Sequence, residues 1–186
     1  MKPDAVFFDL DGTLIDTAPD FYVVLNQVLA DAGRPVQTLA AVRSQVSNGA
    51  RALVTLGFGL APGDEGFDQA LNTLLDAYEQ RLSVDSRLFA GMDTVLDTLE
   101  SAGIPWGIVT NKPERFTLPV LVGLDLVERV GPIICPDHVA LRKPDPEGLL
   151  IAARQVEADP ARCLYVGDHV ALRKPDPEGL LIAARQ

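Results

Sequence analysis

Short blocks of consecutive apolar residues alternate along the chain with longer stretches in which apolar positions recur every third or fourth residue. Ala5–Phe8, Ile104–Thr110 and Cys163–Gly167 are apolar without alternation and carry β-branched or aromatic side chains. That is the pattern of strands covered on both faces in a parallel sheet. Gly131–Cys135 is a weaker fourth strand. Helical periodicity fills the intervals at Asp93–Ala102, Pro113–Leu124 and Pro146–Gln155. The last two begin with Pro at a favourable first helical position, and Asp145 stands where an N-cap is expected. Strand and helix in alternation predict an α/β fold, a Rossmann-like parallel sheet.

One region breaks the alternation. From Asp16 to about Leu82 the chain offers helical patterns at Pro19–Ala32, Leu39–Val46, Ala50–Leu56 and Phe67–Leu82, with Gly33, Gly57 and Pro62-Gly63 as interruptions and no convincing strand. A helical block inserted after the first strand reads as a cap. The expected organisation is therefore an α/β core of residues 1–15 and 86–167, an inserted helical cap of 16–85, and a cleft between two lobes.

The end of the chain is unusual in another way. Asp137 to Gln155 recurs without a change as Asp168 to Gln186. Natural structural repeats keep a pattern while their surfaces drift, and they need several copies to bury a core. A single perfect copy is read instead as a duplicated segment standing where the C-terminal part of the sheet belongs. Two consequences are expected: the strand Cys163–Gly167 is left with an apolar edge, and the copied helix Pro177–Arg185 lies against the gap.

Composition narrows the functions. The 186 residues, 47% hydrophobic and 23% charged, suit a folded domain with a proper core. A net charge of −10 argues against a nucleic-acid partner, which requires clustered Lys and Arg. No apolar run is long enough for a membrane span, and a chain that runs straight into its first strand is expected to carry no signal peptide. Cys135 and Cys163, the two cysteines, lie in strand-like contexts and are expected as buried reduced thiols of a cytoplasmic protein. An acidic protein that binds an anion needs a metal or a few placed cations.

Ligands of open α/β sheets sit beyond the carboxyl ends of the strands, and the chemically informative residues fall there. Asp9-Leu10-Asp11-Gly12-Thr13 follows the first strand. Two carboxylates one residue apart suit a nucleophile that attacks phosphorus and an acid/base that serves the leaving oxygen and then water. Gly12 permits the turn. The second strand ends in Thr110-Asn111-Lys112-Pro113, a hydroxyl and backbone amides suited to holding an anion, though an ordinary helix cap reads the same way. Lys143, in Arg142-Lys143-Pro144-Asp145-Pro146, would supply a cation for a phosphoryl group, though a lysine taken alone reads more readily as a solvated surface residue. Asp168, after Gly167, adds a third carboxylate, and Asp9, Asp11 and Asp168 together suit Mg²⁺.

In this order and company the four pieces resemble the haloacid dehalogenase superfamily over nearly all of residues 1–168. The resemblance implies Asp9 as nucleophile and Asp11 as general acid/base, its backbone carbonyl also on Mg²⁺. It further implies Thr110 and Lys143 as holders of the phosphoryl group and Asp168 as completing the metal site. The second acid, Asp11, marks a phosphatase rather than a dehalogenase. Asp16-Thr17-Ala18-Pro19-Asp20-Phe21, Asn48-Gly49-Ala50-Arg51-Ala52, Leu88-Phe89-Ala90-Gly91-Met92, Trp106-Gly107-Ile108-Val109-Thr110-Asn111-Lys112-Pro113 and Ile134-Cys135-Pro136-Asp137-His138-Val139 are similar to bacterial phosphatases of N-acetylmuramic acid 6-phosphate and 2-phosphoglycolate. The implied partner is a small phosphorylated metabolite, handled by a monomer or dimer. Gly12, Asn111 and Arg51 are the candidate substrate contacts, Arg51 because a guanidinium forks a carboxylate. Arg51 reads equally well as a surface helix residue, His138 as a loop residue and Trp106 as core.

The sequence departs from the family where a further acid is expected a few residues after Asp168: Leu172 and Arg173 occupy those places. Loss of such support weakens metal sites by about 10–100-fold. An inactive or impaired phosphate-binding module is therefore one alternative reading; a phosphomutase, which returns the phosphoryl group to substrate instead of water, is a separate one.

Overall fold

The computed structural model describes residues 2–167 and, as backbone, residues 181–184. The chain divides into two compact units, one of Met1–Ile15 with Leu88–Gln186, the other of Asp16–Arg87.

The first unit is a parallel sheet of order β5-β4-β1-β6-β7. β1 (Ala5–Phe8) lies at its centre between β4 (Trp106–Val109) and β6 (Cys163–Gly167). Val6 is opposite both Trp106 and Leu164, Phe8 opposite Ile108 and Val166. β5 (Ile133–Ile134) pairs with the far side of β4. The strands β4 and β5 are shorter than their apolar runs because Pro105 and Pro132 stand before them without an N–H to donate. Their carbonyls still serve the ladder, Pro105 accepting from Val6 N at 3.0 Å and Pro132 from Ile108 N at 2.8 Å.

Helices α5 (Met92–Ser101), α6 (Glu114–Gly123) and α7 (Glu147–Gln155) connect these strands. Leu149, Ala152 and Ala153 of α7 are buried on Ala5, Phe7, Val109, Ile134 and Tyr165, which fixes that helix on the sheet. Trp106 is core, 2% exposed, its indole N–H donating to Glu100 Oε1 at 3.0 Å. Cys135 and Cys163 are buried free thiols.

Two expectations are corrected. Residues 181–184, expected within a helix, form strand β7 (Leu181–Ala184), parallel to β6 with Tyr165 opposite Ile182. The expected bare edge of β6 is thereby paired, since an open row of backbone groups next to a chain segment rich in Leu and Ile favours the ladder. At the start of α7 the N-cap is Pro146, not Asp145. The Asp145 carboxylate nonetheless accepts from Glu147 N at 2.9 Å.

The second unit holds α1 (Ala18–Asp31), α2 (Leu39–Val46), α3 (Ala50–Phe58) and α4 (Phe67–Glu79). Phe21, Val24, Leu25, Val28 and Leu29 make one buried stripe of α1 at helical spacing. Phe21 stacks on Tyr78 of α4 at 3.8 Å. At Gly57 an added Cβ would meet Leu25 and Leu29 at 3.1 Å, so α3 approaches α1 closely there. Asp20 is fully buried and accepts from Asp85 N, Ser86 N and Ser86 Oγ at 2.9, 2.9 and 2.6 Å. The chain passes between the units through β2 (Ile15–Asp16) and β3 (Arg87–Leu88), which pair as a two-stranded sheet. Among the described residues no helix is long and apolar enough to cross a membrane.

Candidate active site

At the carboxyl end of β1 the ladder runs one residue further, with Asp9 N donating to Val166 O at 2.8 Å. The chain then folds back on itself. Leu14 N and Ile15 N both donate to Leu10 O, at 3.1 and 3.0 Å, and Gly12 takes a φ of 81° that its missing Cβ allows. Leu10, Leu14 and Ile15 are fully buried and anchor this turn. Asp9 and Asp11 flank buried Leu10, and each carboxylate meets a lysine.

Lys143 Nζ lies 2.7 Å from Asp9 Oδ1. Lys112 Nζ reaches both oxygens of Asp11, at 3.1 and 3.3 Å. Lys112 is buried, and its backbone is fixed on both sides: its N–H donates to Thr110 Oγ1 at 3.1 Å and its carbonyl accepts from Thr117 Oγ1 at 3.2 Å. Asn111 Nδ2 donates to Lys143 O at 3.0 Å, tying the loop after β4 to the loop before α7. Lys143 Nζ also donates to the Tyr165 hydroxyl at 2.8 Å.

Burial pushes the Asp9 carboxyl above its ordinary 3.8, while the charge and hydrogen bond of Lys143 and the Leu10 N–H pull the other way. A carboxylate in such a place is a poor resident of the interior and a ready acceptor of a cation or an electrophile. The oxygen-rich pair Asp9 and Asp11 suits a hard divalent cation. Among the described residues they are not joined by a third ligand of the His, Cys, Asp or Glu type. Asp168 follows β6 directly in sequence but lies outside the described residues, as do Leu172 and Arg173.

The first unit thus brings Asp9, Asp11, Gly12, Thr110, Asn111 and Lys143 into one continuous set of loops. Arg51 belongs to the second unit, where its guanidinium lies 5.8 Å from the centre of the Phe67 ring. His138 is occupied locally, Nδ1 accepting from Cys135 N at 3.2 Å and Nε2 lying 3.1 Å from Glu114 Oε1. Sequence reasoning assigned no role to Lys112 or Tyr165. For Lys112 the available signal was a lysine two residues beyond a buried strand; for Tyr165, a hydroxyl inside an apolar strand that requires a partner.

The chain matches the model of the haloacid dehalogenase-like hydrolases over residues 3–171. It is 44% identical over 167 residues to the N-acetylmuramic acid 6-phosphate phosphatase of Pseudomonas putida KT2440, a match covering 90% of this chain and 75% of that one. It is 43% identical over 166 residues to a phosphoglycolate phosphatase of Xanthomonas campestris pv. campestris strain 8004, covering 89% and 74%. Among solved structures, a hydrolase from Pseudomonas syringae matches with a TM-score of 0.63 and 26% identity over 90% of this chain and 76% of that one. A haloacid dehalogenase-superfamily hydrolase from Geobacter sulfurreducens shares the fold, with a TM-score of 0.72 at 23% identity, over 91% and 80%. The chain belongs to the haloacid dehalogenase-like hydrolases.

Proposed function

We propose that this protein is a Mg²⁺-dependent phosphomonoesterase that works through a phosphoaspartate on Asp9. The proposed substrate is N-acetylmuramic acid 6-phosphate, with 2-phosphoglycolate as the second choice. The observation that carries the reading is the buried Asp9 carboxylate with Lys143 Nζ at 2.7 Å. An anion held in this way is one a phosphoryl group can approach without prohibitive repulsion. The names of the two relatives given above favour a phosphatase over a phosphomutase or an inert binding module.

In this mechanism an Asp9 oxygen forms the new bond to phosphorus while the bond to the sugar or glycolate oxygen breaks, and Asp11 delivers the proton to that oxygen. Asp11 then takes a proton from the water that hydrolyses the acyl phosphate. Lys143 and Thr110 hold phosphoryl oxygens, joined by Asn111 and the backbone at Gly12. Asp9, the Asp11 carbonyl and Asp168 are the residues that would hold Mg²⁺, which supplies positive charge beside the phosphoryl group. We assign the unit of residues 16–87 the role of a cap, with Arg51 as its contact to a substrate carboxylate. Two free buried thiols suit a cytoplasmic setting.

The test is phosphate release from N-acetylmuramic acid 6-phosphate, 2-phosphoglycolate and glucose 6-phosphate, with Mg²⁺ and with EDTA. The expected result is metal-dependent turnover highest on the amino-sugar phosphate. Equal rates in EDTA, or no release from any of the three, would overturn the proposal.

A further inference from the structure

We propose that Tyr165 is a positioning residue that aims Lys143 at Asp9. The inference rests on the phosphatase reading only for its kinetic consequence; its geometry is independent of that reading. A lysine ammonium ends a flexible four-carbon stem and has no preferred direction of its own. Here it is held between two acceptors, Asp9 Oδ1 at 2.7 Å and the Tyr165 hydroxyl at 2.8 Å. The hydroxyl is a fixed post, because Tyr165 is 1% exposed and its backbone is locked in β6 opposite Phe7 of β1. The strand bearing the post is thus hydrogen-bonded to the strand that ends in the nucleophile.

A second observation points the same way. Gly167 lies two residues along β6, and a Cβ there would fall 2.8 Å from Tyr165 Cε1 and 3.1 Å from the hydroxyl oxygen. A buried ring cannot yield easily, so the glycine leaves room for the tyrosine to reach this site. An aromatic residue serving only as core would gain nothing from a hydroxyl buried at the mouth of the sheet, where desolvation counts against it. Through Lys143, Tyr165 sets where positive charge meets the charge that develops on phosphorus. Its effect therefore falls on the transition state more than on binding.

Tyr165→Phe keeps the ring and removes only the oxygen. On N-acetylmuramic acid 6-phosphate the variant is expected to lose about ten- to a hundredfold in kcat, the rate equivalent of one hydrogen bond to a charged group, with KM changed less than about twofold. A second readout needs no turnover. With ¹⁵N-labelled lysine, the Lys143 ammonium of the parent protein gives a resolved NMR signal protected from exchange, and that signal broadens away in Y165F. An unchanged kcat with the signal retained overturns the proposal. So does a lower melting temperature with kcat and KM intact, which is what a purely structural tyrosine would give. If the parent protein releases no phosphate from any ester, the phosphatase reading falls, and the ammonium signal alone decides the role of Tyr165.

Discussion

Two lysines in an acidic protein carry the electrostatics of the site. Lys143 and Lys112 each bind one carboxylate of the Asp9–Asp11 pair, so two negative charges one residue apart are tolerated beside a buried turn. Of the two, only Lys143 was legible in the sequence, because its Pro-rich context resembles a known motif. Lys112 owes its place to burial and to the grip of Thr110 and Thr117 on its backbone, which no local pattern announces. The cysteines give a first prediction. Burial pushes both thiols up to about 11, so at neutral pH neither should react with a thiol reagent until the protein unfolds. Ellman titration in native buffer and in denaturant checks this; a thiol that reacts in the native protein contradicts it. Asp20 gives a second. Asp20→Ala strands three donors and removes one of the two carboxylates beside Arg81, the other being Asp85, and should destabilise the protein by about 3 kcal/mol. Urea unfolding measures the loss, and a change within about 0.5 kcal/mol would show the cluster to be incidental.

Elements were legible where pattern and tertiary context agree. β1 and β6 are unbroken apolar runs and occupy the residues their pattern predicts, whereas β4 and β5 are cut short by Pro105 and Pro132. The segment Leu-Ile-Ala-Ala shows the limit of local reading. At 150–153 it is part of α7, and at 181–184 it is β7. The helical copy buries Ala152 and Ala153 on the sheet, while the second copy meets a strand edge, so the surroundings decide. Proline at Ile182 or Ala183 should undo the β6–β7 pairing and increase self-association relative to the parent, as read by light scattering. An unchanged profile for both variants would remove β7 from any protective role. The loop that carries Lys143 has its own brace: the Glu147 carboxylate accepts from Ala140 N and Leu141 N at 3.1 and 2.7 Å, which lowers its pKa below 4.5. A lowered carboxyl contributes stability above its unfolded value and loses it as pH falls through the folded value. Hydrogen-exchange protection of those two amides should therefore be full above pH 4.5 and fade below it, and Glu147→Ala, which removes both acceptor oxygens, should remove it at neutral pH. Protection that persists in the variant contradicts the brace.

For the whole molecule, the chain divides into an α/β unit, which holds the candidate catalytic residues, and a helical unit, to which we assign the role of a cap. The α/β unit was readable from sequence because strand ends, turn glycines and paired acids obey general rules. The partner surface of the helical unit was not, since Arg51 over Phe67 is equally at home as packing and as recognition. In a chain of net charge −10, the proposed phosphate ester needs a placed cation, and Lys143 beside Asp9 is the one the proposal assigns to it. All of this converges on one atom group, the Asp9 carboxylate. Rapid-quench mass spectrometry after mixing with N-acetylmuramic acid 6-phosphate and Mg²⁺ tests it most directly. The account predicts one phosphoryl group on the peptide that contains Asp9, gained within a single turnover and absent in Asp9→Asn, which releases no phosphate. Turnover with that peptide never modified, or an Asp9→Asn variant that still turns over, would contradict it.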